Sequence, residues 1–101
     1  MHNVRIQLLT FEGCPLAGAA RVGLEAALAD CGMKEYEEID ILDPETPDEL
    51  RGWGSPTILV NGADITGRPK GNNVSCRVYP GPEGVPDRSE IIAGIKGQAS
   101  D

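Results

Sequence analysis

The feature that most restricts the fold is a break in pattern. An apolar run over residues 4–10 stops at Phe11-Glu12-Gly13, and Cys14-Pro15 then opens a stretch with helical spacing. In the first run Val4, Ile6, Leu8 and Leu9 alternate and then close into an apolar pair, which suits a strand becoming buried on both faces. Proline is well tolerated in a first helical turn, where its missing N–H would lack a partner anyway. From Leu16 to Cys31 the residues Ala17, Ala20, Leu24, Ala27, Leu28 and Cys31 follow three- and four-residue steps, defining one face of an amphipathic helix, and Gly32 is its natural stop. A strand that feeds a helix in this way commits the next strand to a parallel partner.

The remainder extends the same order. Residues 35–41 alternate polar and apolar, with Ile39 and Ile41 among carboxylates, as a half-buried strand does. Asp43-Pro44 followed by early carboxylates has the chemistry of a helix N-terminus, predicting a short helix that ends near Gly52. Residues 55–60 give a third strand, and Asn61-Gly62 is a strong two-residue hairpin signal into a fourth over residues 63–66. Residues 67–86, rich in proline and glycine, read as an extended loop in which Cys76-Arg77-Val78-Tyr79 is strand-like. Residues 87–96, with Ile91, Ile92 and Ile95 at helical spacing, predict a last helix stopped by Gly97. The expected fold class is therefore α/β, in the order β-α-β-α-β-β-α, with a mixed four-stranded sheet.

At 101 residues the chain has room for one core, so a single domain over residues 1–101 is expected. Its formal net charge of −7 repels phosphate backbones and anionic lipid, which argues against nucleic acid as a partner. The acidic excess sits mainly between Glu35 and Glu49 and reads as a solvated face. No apolar run approaches membrane-spanning length, and no export signal is recognisable at the start. Three cysteines, an odd number, and the missing export signal argue for free thiols and a cytoplasmic protein rather than a disulfide framework, and a monomer is expected.

A strand ending in Thr10-Phe11-Glu12-Gly13-Cys14-Pro15 before a helix, with Gly54-Ser55-Pro56-Thr57 about forty residues later, resembles the thioredoxin superfamily. The resemblance covers nearly the whole chain apart from residues 67–86. It implies a thioredoxin-like fold, a reactive thiol at Cys14 and a cis peptide bond before Pro56. It also implies a backbone edge by Pro56 that pairs with an extended substrate, with Ser55, Thr57 and Trp53 around it. Independently, a thiol at a helix start faces free N–H groups and the positive end of the helix dipole, both of which favour thiolate.

Where a dithiol enzyme of that superfamily has its second cysteine, this chain has Ala17, so a disulfide within the motif cannot form. Either Cys14 works alone, as in monothiol glutaredoxins, or a distant cysteine resolves the mixed disulfide. Cys76 is the candidate, and a Cys14–Cys76 pair can form a reversible disulfide or clamp a thiophilic metal such as mercury, copper or zinc. Cys31, on the apolar face of the helix, reads as an inert core residue.

Gly54-Ser55-Pro56-Thr57 and Ile65-Thr66-Gly67 are similar to glutathione-binding elements of glutaredoxins, but Arg68-Pro69-Lys70 replaces the acidic pair that follows there. Ser75-Cys76-Arg77-Val78-Tyr79 resembles a group of small bacterial thioredoxin-like proteins, some labelled as related to alkylmercury lyase. Such a lyase needs two thiols for the metal and an acid to protonate the carbon. Asp64 and Glu12 are the nearest acids to Cys14 in this reading, and both are expected to be solvated. The functional expectation is thiol–disulfide exchange with a protein or small-molecule disulfide, needing no cofactor. The alternative is a non-catalytic thiol module for a thiophilic metal or a partner protein.

Overall fold

The computed structural model describes residues 5–33, 35–67 and 85–99. Expectations for Cys76, Arg68, Lys70, the strand-like residues 76–79 and most of the 67–86 loop lie outside the described residues. The described chain is mixed α/β, and its elements are β1 (Ile6–Thr10), α1 (Ala17–Asp30), β2 (Glu37–Asp40), α2 (Asp48–Arg51), β3 (Thr57–Val60), β4 (Ala63–Asp64) and α3 (Arg88–Ala99). The strands form one sheet in the order β2-β1-β3-β4. β1 pairs with β2 in parallel and with β3 antiparallel, and β3 pairs with β4 antiparallel.

Side-chain alternation along β1 and β3 explains how the sheet is covered. Ile6, Leu8, Ile58 and Val60 belong to the larger core with Ala20, Leu24, Ala27 and Leu28 of α1 and Ile91 and Ile95 of α3. Leu9 and Leu59, one residue out of phase, join Ile41 in a smaller cluster that Phe11, Ile39, Leu50 and Trp53 flank. All five residues of β1 are therefore buried, as expected of a strand covered on both faces.

Local chemistry sets the element ends. α1 closes as a Schellman motif: Gly32 has φ +72°, its N–H reaches the Ala29 carbonyl (3.2 Å), and the Met33 N–H reaches Leu28 (2.8 Å). Asn61 and Gly62, at φ +53° and +85°, make the β3–β4 hairpin turn. Asp87 and Glu90 cap α3 reciprocally, each side chain accepting the other's backbone N–H at 2.8 and 3.2 Å. Close approach of α3 to the sheet requires Gly94, where a Cβ would stand 2.7 Å from the Ile65 carbonyl oxygen and collide with Ile65 Cγ1.

Several expected boundaries move. α1 begins at Ala17 with Leu16 as its N-cap, so Cys14 and Pro15 lie in the turn ahead of the helix. α2 begins at Asp48 after Pro47. Asp43 instead accepts the Glu45 N–H (2.9 Å), and this local turn competes with helix initiation there. α3 runs through Gly97 to Ala99, since a single glycine costs a helix only about 1 kcal/mol and does not compel an end. β4 ends at Asp64 rather than Thr66. Among the described residues no helix is long and apolar enough to cross a membrane.

Candidate functional site

Two consecutive turns position Cys14. Its N–H donates to the Phe11 carbonyl (3.1 Å), with Gly13 at φ +88° in the third position of that turn, a conformation glycine adopts without strain. Its own carbonyl accepts the Ala17 N–H (3.3 Å), which leads into α1. The residue is thus fixed at both backbone ends where β1 hands over to α1, and it keeps 9% of its exposure.

Antiparallel pairing brings the start of β3 to the same end of the sheet. Thr57 is the partner of Leu9, so Ser55 and Pro56 lie level with the segment leaving β1. The Ser55–Pro56 peptide bond is cis. Ser55, Pro56 and Thr57 are all buried. Thr57 Oγ1 donates toward the carbonyls of Trp53 (3.0 Å) and Gly54 (3.1 Å), while Ser55 Oγ is buried with no hydrogen-bond partner among the described residues.

Cys14 opens onto a groove of about 600 Å³ lined by residues 10–14, Ala17, Gly18, Arg21, Glu38 and Asp40. The lining follows from strand parity. Leu8 and Thr10 face α1 and pair in register with Glu38 and Asp40, so β2 sends these two carboxylates to the α1 side of the sheet edge. Arg21, in the second turn of α1, meets Glu38 in a bidentate pair, Nε to Oε1 at 2.8 Å and Nη2 to Oε2 at 2.5 Å. Thr10 Oγ1 adds a 3.5 Å hydrogen bond to Glu38. The hydrogen bond from Arg21, more than its charge, holds the Glu38 carboxyl below the ordinary glutamate range, and the same pairing raises Arg21. Arg21, Glu38 and Asp40 were not among the residues the sequence singled out. Their signal lay in the seven-residue step from Cys14 to Arg21 and in the parallel register that a β-α-β crossover imposes.

Other sequence candidates fall elsewhere. Trp53 packs beside Leu9, Ile41 and Leu59 on the other face of the sheet, and it lines a different groove with Arg5, Gln7, Leu50 and Leu59. Cys31 is half-buried against the larger core. Glu12 is exposed, as expected, but Asp64 is 2% exposed rather than solvated. Its carboxylate accepts both the N–H (2.7 Å) and the hydroxyl (2.6 Å) of Thr66, an Asx-type turn that satisfies a buried acid locally. Among the described residues no group of three or more histidine, cysteine, aspartate or glutamate side chains is arranged to hold a metal ion. The thiophilic-metal expectation rests on Cys76, outside them. No protein-family model, curated protein or solved structure matches this chain.

Proposed function

We propose that this chain is a thioredoxin-like domain of the single-thiol kind. Its reaction on this reading is thiol–disulfide exchange through Cys14. The observation that carries the proposal is the placement of Cys14: a thiol anchored by turns on both sides, at the strand-to-helix junction, opening onto a groove. The parallel β1–β2 pair, the antiparallel β1–β3–β4 extension and the Ser55–Pro56 segment at the same sheet end support the family resemblance.

The Cys14 thiolate attacks one sulfur of a substrate disulfide, forms a mixed disulfide and releases the other sulfur as a thiolate that takes a proton from water. With Ala17 in place of a second motif cysteine, the mixed disulfide passes to another thiol. An external thiol attacking the substrate sulfur regenerates Cys14 and makes a new external disulfide. If Cys76 attacks Cys14 Sγ instead, the substrate leaves as a thiol, and an external dithiol must then reduce the Cys14–Cys76 bond with two electrons.

The test is exchange of reduced protein with bis(2-hydroxyethyl) disulfide, with adducts located by peptide mass. Cys14→Ser should abolish exchange while circular dichroism and melting remain near wild type, and Cys31→Ser should retain it. Unchanged exchange in Cys14→Ser would overturn the reading. Accumulation of the Cys14 mixed disulfide in Cys76→Ser would assign Cys76 as the resolving thiol, and unaltered turnover there would assign an external one.

A further inference from the structure

We infer that the Cys14 groove selects disulfides by charge, taking those with cationic groups near the sulfur ahead of neutral ones and disfavouring anionic ones. This rests on the thiol-exchange reading and names its substrate class. Three carboxylates, Glu12, Glu38 and Asp40, line the groove with the thiol, and Arg21 is the only cation among the described residues lining it. Arg21 is committed to Glu38 through two hydrogen bonds, so this pair is neutral as a unit. Glu12 and Asp40 have no ion pair among the described residues, and both are exposed. Asp40 accepts the Leu42 N–H (2.8 Å), which fixes its carboxylate without neutralising it. Among the described residues, Glu12 and Asp40 are therefore the charges without an ion pair that a substrate group in the groove would meet.

Neighbouring sequence acts in the same direction. Arg5 and Arg51 are already paired with Glu37 and Asp48, while Asp43 and Glu45 stand exposed just beyond Asp40. The whole chain carries −7. An anionic disulfide is thus repelled at long range and again at the thiol, whereas a cationic one is drawn in. At a separation of about 6 Å in water each charge pair changes local concentration by about threefold, so two carboxylates give up to about tenfold for a unit charge at low salt. The effect collapses near 1 M salt, where screening acts over about 3 Å.

The experiment compares reduced protein with cystamine, bis(2-hydroxyethyl) disulfide and dithiodipropionate, which carry cationic, neutral and anionic ends. Each rate is normalised to that of 2-mercaptoethanol with the same disulfide, which removes intrinsic differences in leaving group. At low salt the normalised order should be cystamine, then the neutral disulfide, then dithiodipropionate, with a cationic-to-anionic ratio of about tenfold or more. That ratio should fall toward one in about 1 M salt. It should also fall in Glu12→Gln and further in Glu12→Gln/Asp40→Asn. Glu38→Gln, which releases Arg21, should lower it too. Adducts on Cys14 with equal normalised rates, an anionic preference, or a ratio unmoved by these substitutions would overturn the charge selection and leave thiol exchange standing. Failure of all three disulfides to modify Cys14 would overturn both.

Discussion

The two faces of the sheet are built on different terms. Toward α1 and α3, Ile6, Leu8, Ile58 and Val60 meet two helices of 14 and 12 residues, and the core there is continuous from Leu24 to Ile91. Toward α2, three buried residues are covered by a helix of four residues that itself buries none. The second face is held mainly by backbone fastening: Arg51 donates to the carbonyls of Ile41 (3.2 Å) and Asp43 (3.0 Å), and Thr46 Oγ1 to Asp40 (2.6 Å). One face draws its stability from packed apolar surface, and the other chiefly keeps water off strands that must be buried on both sides. Cys14 stands where α1 leaves the first face, so its scaffold is the better packed of the two.

Three substitutions probe that contrast, beginning with the largest effect. Leu24→Ala, at a fully buried site between α1, the sheet and α3, should cost about 3–4 kcal/mol in urea unfolding, because a cavity enclosed by two helices collapses poorly. Ile41→Ala should cost about 2 kcal/mol, since half-buried Phe11, Leu50 and Trp53 can settle into the space. An Ile41→Ala cost equal to that of Leu24→Ala would break the contrast. Arg21→Gln, at the edge of the first face, should cost only about 0.5 kcal/mol at neutral pH, because both side chains of the ion pair remain more than a third exposed and are screened by solvent. The Glu38 carboxyl is lowered on folding, so its contribution is complete above its unfolded value near 4.5 and disappears as pH falls through the lower folded value. The difference between Arg21→Gln and wild type, followed by urea midpoints, should therefore shrink at acid pH, and a difference that grows there would contradict the pairing.

The sequence made the packed face readable because its signals are periodic. Ala17, Ala20, Leu24, Ala27 and Leu28 are the buried residues of α1, at the three- and four-residue steps that a helix requires. Asn61-Gly62 likewise announces its turn through residues that tolerate positive φ. The thinner face was harder to read, because α2 is fixed by a long-range guanidinium-to-carbonyl contact from Arg51 rather than by a repeated pattern. At the site, Cys14 was legible from its neighbours in the chain, whereas the groove around it was not. Glu38 and Asp40 come to line the groove beside the thiol only after a parallel register is set between strands about thirty residues apart, and in the sequence they belong to an acidic stretch that looks like ordinary solvated surface. Trp53 misled in the opposite way. It lies three residues before Pro56, yet the chain carries it onto the other face of the sheet before reversing at Gly54, which has φ +81°.

β2 is terminal in the order of described strands, so one side of its backbone faces no described neighbour. Such a border is a template on which a stray extended chain can crystallise into further sheet. Glu37, Glu38 and Asp40 occupy three of its four positions. Glu37 and Glu38 are held by Arg5 and Arg21, so Asp40 is the carboxylate on this border without an ion pair among the described residues. Asp40, one of the two carboxylates that give the thiol groove its sign, thus also sits on the border that a second molecule would have to approach, a position that would matter even if Cys14 never met a disulfide.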